Sequence, residues 1–222
     1  MDNCIMEKDE QTEDRAETAR QRSSIYGFLG LIYRAEVTRP LLTQMRKQEF
    51  LSMLSGIGAQ FDEDFLKKDD TVLIEDLAVE YTRLFLGPGR HISPHESVHH
   101  ERDDGDWGKL WGGSTVDVKK FIESAGLHYQ TEYSGLPDHI SVELEFMGAL
   151  AMEEALAWGK NDAERAEYCR QIQRKFMDWH LSKWIPKFCD KVIPHAELPF
   201  YREMAKVTKS FMQFENDELN KC

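Results

Sequence analysis

Four histidines lie close together in the middle of the chain, at His91, His95, His99 and His100. On an uninterrupted helix the first three would share one face, and imidazoles placed in this way bind transition metals. Pro94 interrupts such a helix, because proline has no amide donor and its ring clashes with the preceding turn. No H-E-x-x-H motif or carboxylate triad completes a site. The spacing therefore favours loop histidines that cap, stack or stay solvated, with a metal-dependent enzyme as the alternative.

A second group that could do chemistry is Pro137-Asp138-His139, which enters a predicted helix that carries Glu143 in its next turn. A histidine beside two carboxylates resembles part of an acid–base set. Asp138 is equally a good N-cap for this helix, since its carboxylate accepts hydrogen bonds from the first free amides. The sequence contains no G-x-S-x-G nucleophile elbow and no glycine-rich phosphate loop. An acid–base enzyme and a capped helix start both remain open.

Helical periodicity positions these groups, and no convincing run of alternating strand residues is found. We predict an all-α fold, a single globular helical bundle of about seven or more helices that forms one domain over residues 1–222. One long loop, about residues 87–113, is expected to be functional and is the place for any hinge between sub-domains. The predicted helices cover about residues 13–33, 40–54, 70–85, 114–125, 138–158, 162–192 with a bend at Pro186, and 198–214, followed by a frayed polar tail.

The chain is acidic, with 28 Lys and Arg against 40 Asp and Glu and a net charge of −12. This balance argues against nucleic acid and against anionic membrane surfaces as partners, because both would repel the chain. No window approaches the roughly 18 consecutive apolar residues of a membrane span, and the polar N-terminus lacks the apolar core of a secretory signal. We therefore expect a cytoplasmic protein without stable membrane insertion. The four scattered cysteines form no C-x-x-C pair and fit reduced thiols.

Three motifs in order resemble the signature of the TorD/DmsD/NarJ family of chaperones. They are residues 80–88 (EYTRLFLGP), residues 93–98 (SPHESV), and residues 136–140 (LPDHI) with 143–147 (ELEFM). The family pattern is an aromatic residue before Leu-Phe-x-Gly-Pro, then Pro-x-Glu-Ser, then Pro-Asp-His with Glu-Leu-x-Phe-Met downstream. The chain length, the helix count and the lack of sheet agree with the family over nearly the whole chain.

The resemblance implies a cytoplasmic redox-enzyme maturation chaperone, not an enzyme, that serves anaerobic respiration. Such a protein binds the twin-arginine signal peptide, the apo-form of a molybdopterin oxidoreductase, or both. It assists cofactor insertion and prevents premature export of the catalytic subunit. The resemblance implies no required cofactor, although it allows weak GTP binding, and it allows either a monomer or a domain-swapped dimer.

Carried over by the resemblance, one set of residues is expected to bind the peptide: Leu84, Phe85, Gly87, Pro88, Pro94, Glu96, Asp138 and His139. Two adjacent guanidiniums followed by an apolar stretch need carboxylates for pairing and an apolar groove for the remainder. Glu96, Asp138 and Glu143 are expected to supply the charge. Leu84, Phe85 and helix residues 140–147 are expected to supply the groove. The four loop histidines have no assigned family role.

Overall fold

The computed structural model describes residues 2–56, 58–87, 89, 91–100, 109–126 and 135–221, with side chains from residue 11 onward. These residues form ten α-helices and no β-strand, and the predicted all-α fold is confirmed. The helices are α1 Asp2–Arg34, α2 Arg39–Met45, α3 Gln48–Gly56, α4 Glu63–Lys67, α5 Asp70–Tyr81, α6 Gly113–Ser124, α7 Ile140–Trp158, α8 Ala163–Phe176, α9 Ser182–His195 and α10 Pro199–Asn220.

Aspartates begin three of these helices in the expected way. The carboxylates of Asp62, Asp69 and Asp162 accept hydrogen bonds from the first-turn amides of α4, α5 and α8. Such caps satisfy donors that have no partner within the helix, and each contributes about 1 kcal/mol. Within the described residues, no helix combines the length and the apolar character that crossing a membrane requires.

Helices α1 and α7 pack closely because each has a glycine at the crossing. A Cβ atom added at Gly148 of α7 would lie 3.3 Å from the Cβ of Tyr26 and 3.4 Å from the carbonyl oxygen of Ser23. At Gly30 of α1, an added Cβ would lie 3.4 Å from the carbonyl oxygen of Ser141. The Ser23 hydroxyl donates to the Gly148 carbonyl at 2.8 Å. The helix pair therefore forms a close contact that fixes where α7 begins relative to the end of α1.

A buried ionic network joins α1 to the other end of the chain. Arg22 donates to Glu215 of α10 at 2.8 Å, to Glu154 of α7 at 2.9 Å and to Gln173 of α8 at 2.6 Å. Glu215 is fully buried and α10 continues to Asn220, so the predicted frayed tail from residue 215 is wrong. Glu215 faces the buried Arg22 guanidinium, a contact that a local pattern cannot reveal.

Several predicted boundaries are corrected by the structure. The helix predicted over 40–54 is two helices, α2 and α3. Arg46 lies between them, and its side chain donates to the carbonyl oxygens of Phe65 and Lys68. The helix predicted over 162–192 is interrupted at a π-helical segment, Met177–Leu181, and Pro186 lies inside α9. A second π-helical segment, Thr82–Leu86, ends the helix that starts at Asp70. Local widening of this kind is common next to functional segments.

Breaking the buried network should cost far more stability than breaking an exposed pair. We expect Arg22→Ala to lower the free energy of unfolding by about 3–5 kcal/mol, because Glu154 and Glu215 would stay buried without their partner. Arg20→Ala is the matched control on the same helix, since Arg20 pairs with Glu17 at the surface and its loss should cost under about 1 kcal/mol. Urea unfolding followed by circular dichroism measures both. Equal, small losses would contradict the assigned role of the network.

Candidate peptide-binding groove

The π-helical segment Thr82–Leu86 leads into a tight reversal of the chain. A Cβ atom at Gly87 would lie 3.2 Å from the Thr82 carbonyl oxygen, so glycine permits this close approach. The chain then returns, and the amide of Ile92 donates to the Leu84 carbonyl at 2.7 Å. Pro88, which was predicted to contact the peptide, lies outside the described residues.

The returning loop pairs with the segment that precedes α7. The amide of Ile140 donates to the Pro94 carbonyl at 2.9 Å, and the amide of Glu96 donates to the Asp138 carbonyl at 2.9 Å. His95 and His139 form an antiparallel bridge between these two bonds. The structure thus brings together the second and third sequence motifs, residues 93–98 and 136–140.

The N-cap of α7 is His139, and the prediction that Asp138 caps this helix is wrong. The Nδ1 atom of His139 accepts a hydrogen bond from the amide of Ser141 at 3.2 Å. An atom that accepts from an amide carries no proton, so the neutral ring is protonated at Nε2. The carboxylate of Asp138 is turned the other way, where it accepts from the amide of Ser97 at 3.0 Å. Tertiary pairing with the loop therefore overrides the usual preference for aspartate at an N-cap.

A groove of about 720 Å³ opens between this paired loop and the end of α1. Phe85, Pro94 and His139 of the predicted set line it, together with His91 and His95 from the histidine group. Phe85 lies at the centre of an aromatic cluster, with ring-to-ring distances of 5.2–6.0 Å, that includes Tyr33, Tyr81, Phe188 and Tyr201. The floor of the groove is therefore a rigid, largely apolar surface.

Other lining residues escaped the sequence analysis. Arg34 and Glu36 lie at and just after the end of α1, and Tyr81 lies at the end of α5. Leu86 and Leu110 stand on the rim with 61% and 47% of their surface exposed. The exposure of Leu86 and Leu110 indicates a site only once the structure places both side chains at the same groove. No local pattern marks position 36 as part of a site.

Glu96 is enclosed beneath the groove with 1% of its surface exposed. His100 Nε2 lies 2.7 Å from its carboxylate and His180 Nδ1 lies 3.0 Å from it. Burial opposes ionisation of Glu96, but the hydrogen bonds with His100 and His180 prevail and hold its pKa below the usual value. Its charge is thus engaged inside the protein, where it joins the loop to the Met177–Leu181 segment.

Glu143 is completely buried on the inner face of α7. The indole Nε1 of Trp184 donates to its Oε2 atom at 3.0 Å, and within the described residues its Oε1 atom has no hydrogen-bond partner. Burial, together with the negative charges of Glu96 and Asp138, raises the pKa of Glu143 well above the usual value. These effects favour the protonated form of Glu143, which lowers the cost of placing three carboxyl groups close together.

Burial limits the role that was expected for the three acidic residues. Glu96, Asp138 and Glu143 are each at most 1% exposed, so direct pairing with an incoming guanidinium would require this region to open. Such pairing stays a prediction. Leu84 is also buried, beneath the groove and not at its surface. In this conformation, Asp138 joins the two paired segments of one wall, and Glu96 joins that wall to His180.

The loop histidines serve separate structural roles. The rings of His95 and His139 meet edge to face at 4.9 Å, and the ring of His99 stacks on Trp184 at 5.3 Å. Burial lowers the pKa of His99 to about 4 and, aided by the charges of His95 and Arg34, that of His139 to about 3. The rings of His99 and His139 are accordingly neutral at pH 7.

The side chains that suggested chemistry do not assemble into a catalytic or metal site. The described part of the chain contains no group of three or more His, Cys, Asp or Glu side chains placed to hold a metal ion. His139 uses its unprotonated nitrogen as a helix cap, while Asp138 and Glu143 are enclosed away from the groove. The geometry offers a binding surface and gives no support to an acid–base mechanism.

Comparison with known proteins identifies the class of this fold. The family model described as the nitrate reductase delta subunit matches residues 45–190 of the 222. The chain belongs to this family. Residues 45–190 include all three motifs and nearly all of the groove wall that they form.

Curated relatives match most of the chain. The chaperone protein TorD of Photobacterium profundum is 27% identical over 206 residues, covering 88% of this chain and 92% of the relative. The chaperone protein TorD of Vibrio vulnificus is 21% identical, covering 90% and 94%. A solved structure from Archaeoglobus fulgidus, named for a proposed role in redox enzyme maturation, has the same fold with a TM-score of 0.51 and 23% identity, over 86% of this chain and 93% of that chain. The predicted membership of this chaperone class, and not of an enzyme class, is confirmed.

The buried acid on α7 gives a pH-dependent stability with a definite sign. Because its folded pKa is raised, Glu143 keeps its proton in the folded protein while the unfolded chain loses it above its ordinary pKa, so stability is lost as pH rises. Glu143→Gln keeps an acceptor for Trp184 but cannot ionise. We expect this variant to be more stable than the parent, by a margin that grows between pH 5 and pH 8 by at most about 1.4 kcal/mol per pH unit.

Urea unfolding at both pH values measures this margin. Glu153→Gln is the control, since Glu153 is exposed on the same helix and its loss should change stability little at either pH. A Glu143→Gln variant that is destabilised, and more so at pH 8, would mean that the fold needs the ionised carboxylate.

Proposed function

We propose that the protein is a cytoplasmic maturation chaperone that holds a basic, partly apolar peptide segment in this groove. The segment is the twin-arginine signal peptide of a molybdopterin oxidoreductase, or another part of its apo-form. Holding it while the cofactor is inserted would prevent premature export of the catalytic subunit. The observation that carries the proposal is the preformed groove at the junction of the two sequence motifs, residues 93–98 and 136–140, with an aromatic floor at Phe85.

The shape and polarity of the groove support a peptide ligand. Its volume of about 720 Å³ falls in the range of sites that enclose a small ligand or several side chains. The exposed Leu86 and Leu110 extend the apolar surface beyond the groove itself. Neighbouring exposed apolar side chains of this kind mark interaction sites more often than chance.

The charge of the chain and the names of its relatives support the same client. A net charge of −12 attracts a basic segment and speeds its encounter with the groove. Relatives named as TorD chaperones, and a structural neighbour named for redox enzyme maturation, make an oxidoreductase the natural partner. Weak GTP binding and a domain-swapped dimer, which the sequence resemblance allows, stay predictions.

The rim residues provide the test of this proposal. We expect Leu86→Gln and Leu110→Gln each to weaken binding of a labelled peptide, two adjacent arginines followed by an apolar stretch, by about threefold to tenfold, since each removes exposed apolar contact area. Leu156→Gln is the control, because Leu156 is 45% exposed on α7 and does not line the groove. Fluorescence anisotropy measures the three affinities. Equal affinities for all three variants and the parent would place the peptide elsewhere.

A further inference from the structure

Glu36 is an exposed acidic residue that lines the groove and is not among the residues expected to bind the peptide. It follows α1 directly and faces the groove from the side opposite the paired loop. Among the described residues it receives one hydrogen bond, from the Thr82 hydroxyl at 3.5 Å, which is at the limit of a hydrogen bond. No described cation forms an ion pair with it.

The cations near this end of the groove are already paired. Arg34 forms two hydrogen-bonded contacts with Glu145, at 2.8 and 2.9 Å. Arg39 pairs with Asp70 at 3.3 Å. Arg34 and Arg39 thus have carboxylate partners, Asp70 being shared with Arg46, whereas the described residues leave the negative charge of Glu36 without a counter-ion.

The charge of Glu36 acts on the floor of the groove. Burial, and after it the negative charge of Glu36, raises the pKa of Tyr81 to about 12. Tyr81 packs on Phe85 at a ring distance of 5.2 Å, and both rings line the groove. An unpaired carboxylate thus stands beside an aromatic surface, an arrangement suited to a cation with apolar neighbours.

We propose that Glu36 is the residue with which the groove recognises a cationic side chain of its peptide, specifically an arginine next to apolar residues. This inference rests on the proposed function and assigns the charge recognition to Glu36 in place of the enclosed Glu96, Asp138 and Glu143. Among the described residues only the marginal hydrogen bond from Thr82 occupies the Glu36 carboxylate, which therefore suits the planar fork of a guanidinium better than it suits an ammonium. On the opposite wall, His95 and His139 are partly buried, and this burial lowers the pKa of both rings and favours their neutral forms.

A double-mutant cycle tests the pairing. The protein variants are Glu36→Gln and, as a control of equal charge, Glu75→Gln, which alters an exposed carboxylate of α5 that does not line the groove. The peptide carries two adjacent arginines followed by an apolar stretch, and its partner has citrulline in place of both arginines. Citrulline keeps the shape of arginine and removes its charge, so the cycle isolates the ionic contact.

We expect Glu36→Gln to weaken binding of the arginine peptide by about fivefold at low salt, an effect that shrinks as salt is added. The citrulline peptide should bind the parent and Glu36→Gln equally, and Glu75→Gln should bind both peptides as the parent does. Circular dichroism is expected to show an unchanged fold, because Glu36 is exposed.

Two other outcomes would overturn the inference. They differ in whether the proposed function also fails. If Glu36→Gln and Glu75→Gln bind the arginine peptide equally, Glu36 is not the recognition residue, while the proposed function stands. If the unaltered protein binds neither peptide, the proposed function fails and the inference fails with it.

Discussion

The hydrogen bonds between residues 94–97 and residues 138–140 are the contact on which the site depends. Two backbone bonds and the Asp138 carboxylate, which accepts from the Ser97 amide, hold together stretches 41 positions apart. One wall of the groove is the outer surface of this junction, with Pro94, His95 and His139 side by side. Without these bonds residues 94–97 would lose their contact with the start of α7, and this wall of the groove would not form.

Fixing the loop in this way carries an energetic cost. Three carboxyl groups, those of Glu96, Asp138 and Glu143, lie close together in the interior. Burying charge is unfavourable unless it is paired. Glu96 is hydrogen-bonded with two histidines, and the raised pKa of Glu143 favours its uncharged form. Replacing buried charged groups by apolar residues of the same volume often leaves a protein at least as stable. The hydrogen bonds of Asp138 and Glu96 instead position residues 94–97 against residues 138–140 and against the Met177–Leu181 segment.

The distribution of polar groups separates support from recognition. Asp138 and Glu96 hold the paired segments in place inside the protein. The surface of the groove offers aromatic rings, histidines and the Glu36 carboxylate, which has no ion-pair partner among the described residues. A second buried network, around Arg22, joins α1, α7, α8 and α10 away from the groove. The helices that carry the site are therefore held at two separate places, which leaves the groove to be shaped by its own residues.

Apolar periodicity was sufficient to predict the all-α fold and most helices, because apolar residues recur at helical spacing along the chain. It failed where contacts between distant residues decide the geometry. Aspartate is usually the better N-cap, yet His139 caps α7 because the Asp138 carboxylate instead accepts a hydrogen bond from the Ser97 amide. Arg22 and Glu215 are 193 positions apart, so no local pattern showed that Glu215 is buried. Each of the three motifs supplies residues that line the groove, but only the fold shows which of their side chains face outward.

Amide hydrogen exchange tests most directly the claim that the groove is formed before any peptide binds. The amides of Glu96, Ser97 and Ile140 donate across the junction, and that of Leu150 lies in the middle of the buried helix α7. In the peptide-free protein, the three junction amides should exchange within about tenfold of the rate of Leu150, since they open only with the surrounding core. Exchange at the rate of an exposed loop would contradict the account, because the loop would then take its position only when a ligand binds.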